Sequence, residues 1–143
     1  MTAATKSIVV ERDMKHKPEK IWKALTTSDL IAKWLMANDF QPLKGHRFNF
    51  RATPIHGWNG VTDCKVLEID PPHRLVYSWN ASGDQAENGL KTIVTWTVEP
   101  TPGGARVRME QAGFRAEDEM GFKAMGGGWP HILGRLEAET ALL

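Results

Sequence analysis

The spacing of apolar residues changes character three times along this chain, from a period of two to a helical one, back to two, and then to helical again. Thr5 to Met14 opens with the β-branched run Ile8-Val9-Val10 and turns polar at Glu11-Arg12-Asp13, which predicts a strand running into a loop. Pro18 suits the first position of a helix, where its missing N–H is no loss, and Ile21, Trp22 and Leu25 then share one face. Thr27 or Ser28 is placed to cap a second short helix, with Asp29 in its first turn and Leu30, Ile31, Trp34 and Leu35 as its stripe.

Gln41-Pro42-Leu43-Lys44-Gly45 breaks the helical period, and strands are predicted over His46 to Ala52, Val61 to Ile69, Leu75 to Trp79 and Leu90 to Glu99. Phe48 and Phe50 lie on one side of the first of these; Val94, Trp96 and Val98 alternate with Thr95 and Thr97 in the last. Turns are marked by Pro54 with Gly57-Trp58-Asn59-Gly60, by Asp70-Pro71-Pro72 and by Pro100 to Gly104. The polar stretch Asn80 to Asn88 is too long for a tight hairpin and predicts a mobile loop. Val107, Met109 and Gln111 continue the inward row on a further strand.

From about Glu117 the period is helical, with Phe122, Met125, Trp129, Ile132, Leu133 and Leu136 on one face and Arg135, Glu137 and Glu139 on the other. Gly126-Gly127-Gly128 and Pro130 interrupt it, since an interior Gly costs about 1 kcal/mol and an interior Pro about 3 relative to Ala. Either a kink or a restart at Trp129-Pro130 is expected. The order strand, two short helices, run of strands, long helix predicts an α+β domain over residues 1–143, with helices on one face of an antiparallel sheet. A long helix across a curved sheet leaves a space between them, and Trp and Met walls suit that space to an apolar molecule.

A chain of 143 residues can bury a core without a disulfide, a metal or a partner. Lys and Arg number 18 against 17 Asp and Glu, with the signs interspersed, so no basic face tracks a phosphate backbone and nucleic acid is not an expected partner. The single cysteine, Cys64, excludes an intramolecular disulfide and points to a reducing compartment. Met1 to Ser7 lacks the apolar core of a signal peptide and no run reaches membrane-spanning length, so a cytoplasmic protein is expected.

His16, His46, His56, His73 and His131 are scattered and none pairs at helical spacing, so neither a metal site nor another cofactor is expected. No nucleophile elbow, phosphate loop or dinucleotide fingerprint occurs. Cys64 lies within a strand with Lys65 on the opposite face, the pattern of a buried inert thiol. Among the polar residues able to face inward, His46, Asp63, Tyr77, Gln111 and His131, alternation singles out two. Tyr77 sits between Leu75 and Trp79, and Gln111 follows Val107 and Met109.

Pro18-Glu19-Lys20-Ile21-Trp22-Lys23-Ala24-Leu25-Thr26, Trp34, Val66-Leu67-Glu68-Ile69-Asp70-Pro71-Pro72-His73-Arg74-Leu75, Gly128-Trp129 and Leu133 with Leu136 resemble the bacterial branch of the activator-of-heat-shock-ATPase family. That family belongs to the START-like, helix-grip superfamily, related in fold to plant pollen allergens and aromatic-polyketide cyclases. The resemblance spans nearly the whole chain in the right order, and implies a curved sheet gripping a long C-terminal helix around a hydrophobic cavity. The chaperone activators proper carry a further N-terminal domain that grips the chaperone, which this chain is expected to lack. No catalytic motif runs through the superfamily, so none is carried onto numbered positions here.

The first expectation is thus a protein, monomeric or homodimeric, that holds an apolar or amphipathic small molecule. Its predicted walls are Trp34, Phe48, Tyr77, Trp79, Val94, Trp96, Met109, Gln111, Phe122, Met125 and Trp129. A second reading is an interaction module, its partner a chaperone whose ATPase it modulates in a stress response. A third is a cyclase-like or hydrolase-like enzyme using Tyr77, Gln111 or His131 as acid or base.

Overall fold

The computed structural model describes residues 5–55 and 58–143. It contains β1 (Lys6–Met14), α1 (Pro18–Thr26), α2 (Ser28–Trp34), β2 (Ala37–Asn38), β3 (Arg47–Arg51), β4 (Val61–Asp70), β5 (Arg74–Ala81), β6 (Lys91–Thr101), β7 (Gly104–Phe114) and α3 (Glu119–Ala141). The strands form one antiparallel sheet in the order β1-β7-β6-β5-β4-β3-β2. Its two ends in space are the first two strands in the chain. All three helices cover one face, α1 and α2 packing on α3, and α3 also meeting β1. The α+β, helix-grip arrangement is therefore realised.

Period-two patterning becomes burial as expected. In β6, Thr92, Val94, Trp96 and Val98 are buried, and in β7 Ala105, Val107, Met109 and Gln111. The register aligns Tyr77 with Val94, Val94 with Gln111 and Gln111 with Ile8, so one row crosses four strands under the helices. Such rows pack side by side, which is the unit of sheet stabilisation.

A bulge breaks parity at the end of β7. Gly113 has φ +107, a left-handed backbone that glycine adopts without steric cost, and the register slips between Lys6 and Ser7. The slip turns Phe114 inward, 1% exposed, where its ring meets Phe122 edge to face at 5.3 Å.

Three local expectations change. Thr27 stands at the start of α2 but makes no side-chain cap bond, and the Ser28 hydroxyl instead donates to the Asn38 side chain at 2.8 Å. That bond holds β2, a two-residue edge strand too short for a sequence period to reveal. The stretch 80–88 is also shorter as a loop than its polarity suggests. β5 runs on to Ala81, Ser82 is buried with its hydroxyl donating to the Val61 carbonyl at 3.0 Å, and Gly83–Gln85 forms a 3₁₀ turn. The Gly57-to-Gly60 turn falls partly outside the described residues, as do His56 and residues 1–4.

The third change concerns α3, which does not restart at Trp129-Pro130 but runs on as one helix of 23 residues through Gly126-Gly127-Gly128 and Pro130. Pro130 has no N–H, so the Gly126 carbonyl lacks its helical donor at the point where the backbone is also least restrained. Trp129, Leu133, Leu136 and Thr140 are buried on the far side of this weak point. Before it, Phe122 and Met125 are only partly buried and Met120 is 79% exposed. Burial therefore anchors the C-terminal two-thirds of the helix and leaves its first two turns lightly held. Among the described residues no helix is long and apolar enough to cross a membrane.

Candidate functional site

The space between sheet and α3 is occupied by aromatic rings. Phe40 meets Phe48 at 5.2 Å, Phe48 meets Phe50 at 5.4 Å, Phe50 meets Trp79 at 5.2 Å and Trp79 meets Trp129 at 5.5 Å. Trp129 continues to Trp96 at 5.9 Å and Trp96 to Trp34 at 5.5 Å. Tilted and edge-to-face pairs of this kind add about 0.5–1.5 kcal/mol each beyond the area they bury. The chain of rings starts beyond α2, crosses under α3 and returns to α2, whose Trp34 indole donates to the Ala24 carbonyl of α1 at 2.9 Å.

Two hydrogen-bonded systems run through the rings, and indole chemistry sets their direction. An indole N–H only donates, so Trp129 Nε1 at 2.8 Å must meet the Gln111 side-chain oxygen. The Gln111 amide nitrogen then points to Thr92 Oγ1 at 2.9 Å, and the Thr92 hydroxyl donates to the Trp79 carbonyl at 2.8 Å. This chain ties α3 to β7, β6 and β5 in succession. In the second system Trp96 Nε1 donates to the Tyr77 hydroxyl oxygen at 2.9 Å. Burial pushes the Tyr77 phenol well above its ordinary pKa, the Trp96 hydrogen bond opposing that rise, so it stays protonated at neutral pH. Burial likewise raises the Cys64 thiol, with Asp63 and Asp39 adding to the effect, so Cys64 is an unreactive core group.

Nine of the residues predicted to wall the interior are buried together: Trp34, Phe48, Tyr77, Trp79, Val94, Trp96, Met109, Gln111 and Trp129. Phe122 and Met125 are partly buried against the same cluster. Of the other inward polar candidates, Asp63 and His131 are exposed, and His46 is half-buried at the β3 end with its ring 3.0 Å from the Asp39 carbonyl. Thr92, 2% exposed, is the member of the polar system that the sequence reading omits. Its parity with Val94 and Trp96 was the available signal.

At the lightly held end of α3 a guanidinium spans three segments. Arg115 donates from Nε and Nη2 to both carboxylate oxygens of Asp118, at 3.0 and 2.9 Å. Its Nη2 also reaches the Gly89 and Asn88 carbonyls of the β5–β6 loop at 3.0 and 3.2 Å. The Arg115 backbone N–H donates to Asp118 as well, at 2.8 Å, closing a capping box before α3. Asp118 is thus held below the usual carboxylate range, chiefly by the Arg115 hydrogen bond. A carboxyl with a depressed folded pKa stabilises the fold above its unfolded value near pH 4 and loses that effect as pH falls through the folded one. The stability difference between the native protein and Asp118→Asn is accordingly expected in full at pH 6 and smaller at pH 3, below the unfolded value. Urea titrations at the two values check it.

The model of the family described as activator of Hsp90 ATPase homolog 1-like protein matches residues 15–141. Among solved structures, protein MLL2253 from Mesorhizobium loti is 44% identical, with a TM-score of 0.85 over 94% of this chain and 96% of that one. The Aha1 dimer from Colwellia psychrerythraea is 25% identical, with a TM-score of 0.75 over 92% and 93% of the two chains. BH1534 from Bacillus halodurans shares the fold at 23% identity and a TM-score of 0.77, over 94% and 96%. No curated protein matches the sequence.

Proposed function

Since the chain belongs to the activator of Hsp90 ATPase homolog 1-like family, we propose that it binds an apolar small molecule between the sheet and α3. The observation that carries this reading is the build of α3. Trp129, next to Pro130, is 1% exposed and forms the inner wall, whereas the first two turns, before Gly126, are only partly buried and are tied down by the Arg115–Asp118, Phe114–Phe122 and Lys6–Glu119 contacts, so they can serve as a cover. Swinging that cover and the β5–β6 loop aside opens a route to Trp79, Trp129 and Gln111 without disturbing the buried two-thirds of the helix. Met109 and Met125, unbranched and adaptable, then make room among the rings. Burying about 200 Å² of ligand at roughly 25 cal/mol per Å² contributes about 5 kcal/mol, before the cost of immobilising the molecule.

The test is titration with N-phenyl-1-naphthylamine, a neutral probe that brightens in apolar surroundings. A saturable one-to-one rise is expected; a flat titration, together with a ligand-free native mass spectrum of freshly purified protein, overturns the reading. A prediction about the cover accompanies it. A Cβ at Gly127 or Gly128 would meet nothing within 4 Å, so Gly127→Ala with Gly128→Ala gains helix propensity without a clash. The double variant is expected to be more stable by about 1–2 kcal/mol and to take up the probe more slowly at unchanged final amplitude. Stopped-flow fluorescence and thermal melts measure both.

A second reading, modulation of a chaperone ATPase, is supported by the family description and by the 25% identity to the Aha1 dimer. Saturable stimulation of a chaperone's ATP turnover by the purified protein supports it, and unchanged turnover rejects it.

A further inference from the structure

Building on the binding reading above, we infer that the interior selects uncharged molecules carrying a hydrogen-bond acceptor, and that the Tyr77 hydroxyl is the donor that meets this acceptor. The geometry starts from the direction of one bond. Trp96 Nε1 can only donate, so the Tyr77 oxygen accepts, and the phenolic proton is left to find its own partner. Among the described residues Tyr77 has no other hydrogen-bond partner, although it is only 3% exposed. A buried hydroxyl proton without an acceptor costs about 1–3 kcal/mol, which an incoming carbonyl or ether oxygen recovers. Accepting a bond from Trp96 also polarises the O–H and makes it a better donor.

The other half of the selectivity comes from what surrounds it. The buried polar side chains besides Tyr77 are Thr62, Ser82, Thr92, Gln111 and Thr140, and no Lys, Arg, His, Asp or Glu is buried among the described residues. Gln111 and Thr92 are engaged with Trp129 and Trp79. A carboxylate or phosphate brought between the rings would therefore lose its hydration with no cation to replace it, a cost far above that of a neutral acceptor. An amine would meet no carboxylate. The neighbouring rings, Phe48 at 5.4 Å and Phe50 at 6.1 Å from the Tyr77 ring, favour an aromatic skeleton.

Three naphthalenes of nearly equal shape separate the elements of this inference: 2-acetylnaphthalene, which has a neutral acceptor; 2-ethylnaphthalene, which has none; and 2-naphthoate, which is an anion. Affinities are read by quenching of tryptophan emission in the native protein and in Tyr77→Phe. The expected result is that Tyr77→Phe weakens 2-acetylnaphthalene about 10-fold and 2-ethylnaphthalene less than 2-fold, while 2-naphthoate binds the native protein at least 100-fold more weakly than the ketone. Equal effects of Tyr77→Phe on ketone and hydrocarbon overturn the role of the hydroxyl and leave the binding reading standing. Comparable affinity for 2-naphthoate overturns the exclusion of charge. If none of the three binds the native protein, this inference falls, and the probe titration with the native mass spectrum decides the binding reading separately. Retained affinity of the variant for 2-ethylnaphthalene shows that it is folded; if the variant loses all three, the native protein's ranking of the ligands decides.

Discussion

Trp129→Ala is expected to destabilise the protein by about 4 kcal/mol in urea unfolding, the scale of a large aromatic deleted from a closed core. Trp129 is 1% exposed, its ring touches those of Trp79 and Trp96, and its indole N–H satisfies the Gln111 side-chain oxygen. The substitution opens a void and orphans a buried acceptor together. Trp129→Phe separates these effects, since it keeps a ring and removes the donor, and a loss of about 1–3 kcal/mol is expected from the orphaned amide. Adding Gln111→Leu to Trp129→Phe removes the orphan, and Thr92 keeps its bond to the Trp79 carbonyl. The double variant should therefore be less destabilised than the two single losses added together, the mark of coupled partners in a double-mutant cycle. Strict additivity would show that Gln111 finds water or another partner once the indole is gone.

The second large effect lies far from the rings. Gly104 begins β7, and a Cβ built on it would overlap the Met14 carbonyl oxygen and crowd the His16 backbone nitrogen at 2.9 Å. Both are backbone atoms where β1 passes toward α1, so neither can rotate away. Gly104→Ala is expected to cost about 3 kcal/mol or more, by pushing β1 off the strand beside it. Gly103, next to it, has nothing within 4 Å of such a Cβ. Gly103→Ala should therefore stay within about 1 kcal/mol of the native stability, and the contrast between these neighbours, read in one set of melts, isolates sterics from turn propensity.

Much of this arrangement is legible in the residues. The alternation of Val94, Trp96 and Val98 and of Val107, Met109 and Gln111 names the inward face, because a strand has no other way to bury every second side chain. Tyr77 and Gln111 stand out for the same reason. The inward turn of Phe114 does not follow from alternation, since it depends on a one-residue bulge at Gly113 that the register reveals and the period conceals. β2 is too short to show a pattern, and the Arg115 clamp joins segments whose proximity only the folded chain creates. The unbroken course of α3 through three glycines and a proline shows tertiary packing overriding local propensity: Trp129, Leu133 and Leu136 are buried against the sheet whatever the preceding turn prefers. Convergence of the predicted wall residues was readable from parity and helical phase. The hydrogen bonds among them were not, since they need side-chain positions from four separate elements.

The sheet order has a kinetic consequence. β1 pairs along its whole length with β7, joining Lys6 to Phe114 and Met14 to Ala105, partners roughly a hundred residues apart in the chain. Hairpins β4–β5, β5–β6 and β6–β7 can close locally, but β1, synthesised before all of them, must wait unpaired until β7 has emerged. Its arrival brings β1 against α3 and closes that side of the interior. On this topology the interior is sealed late and slowly, so that refolding should show the β1 amides gaining protection from hydrogen exchange after those of β5 and β6.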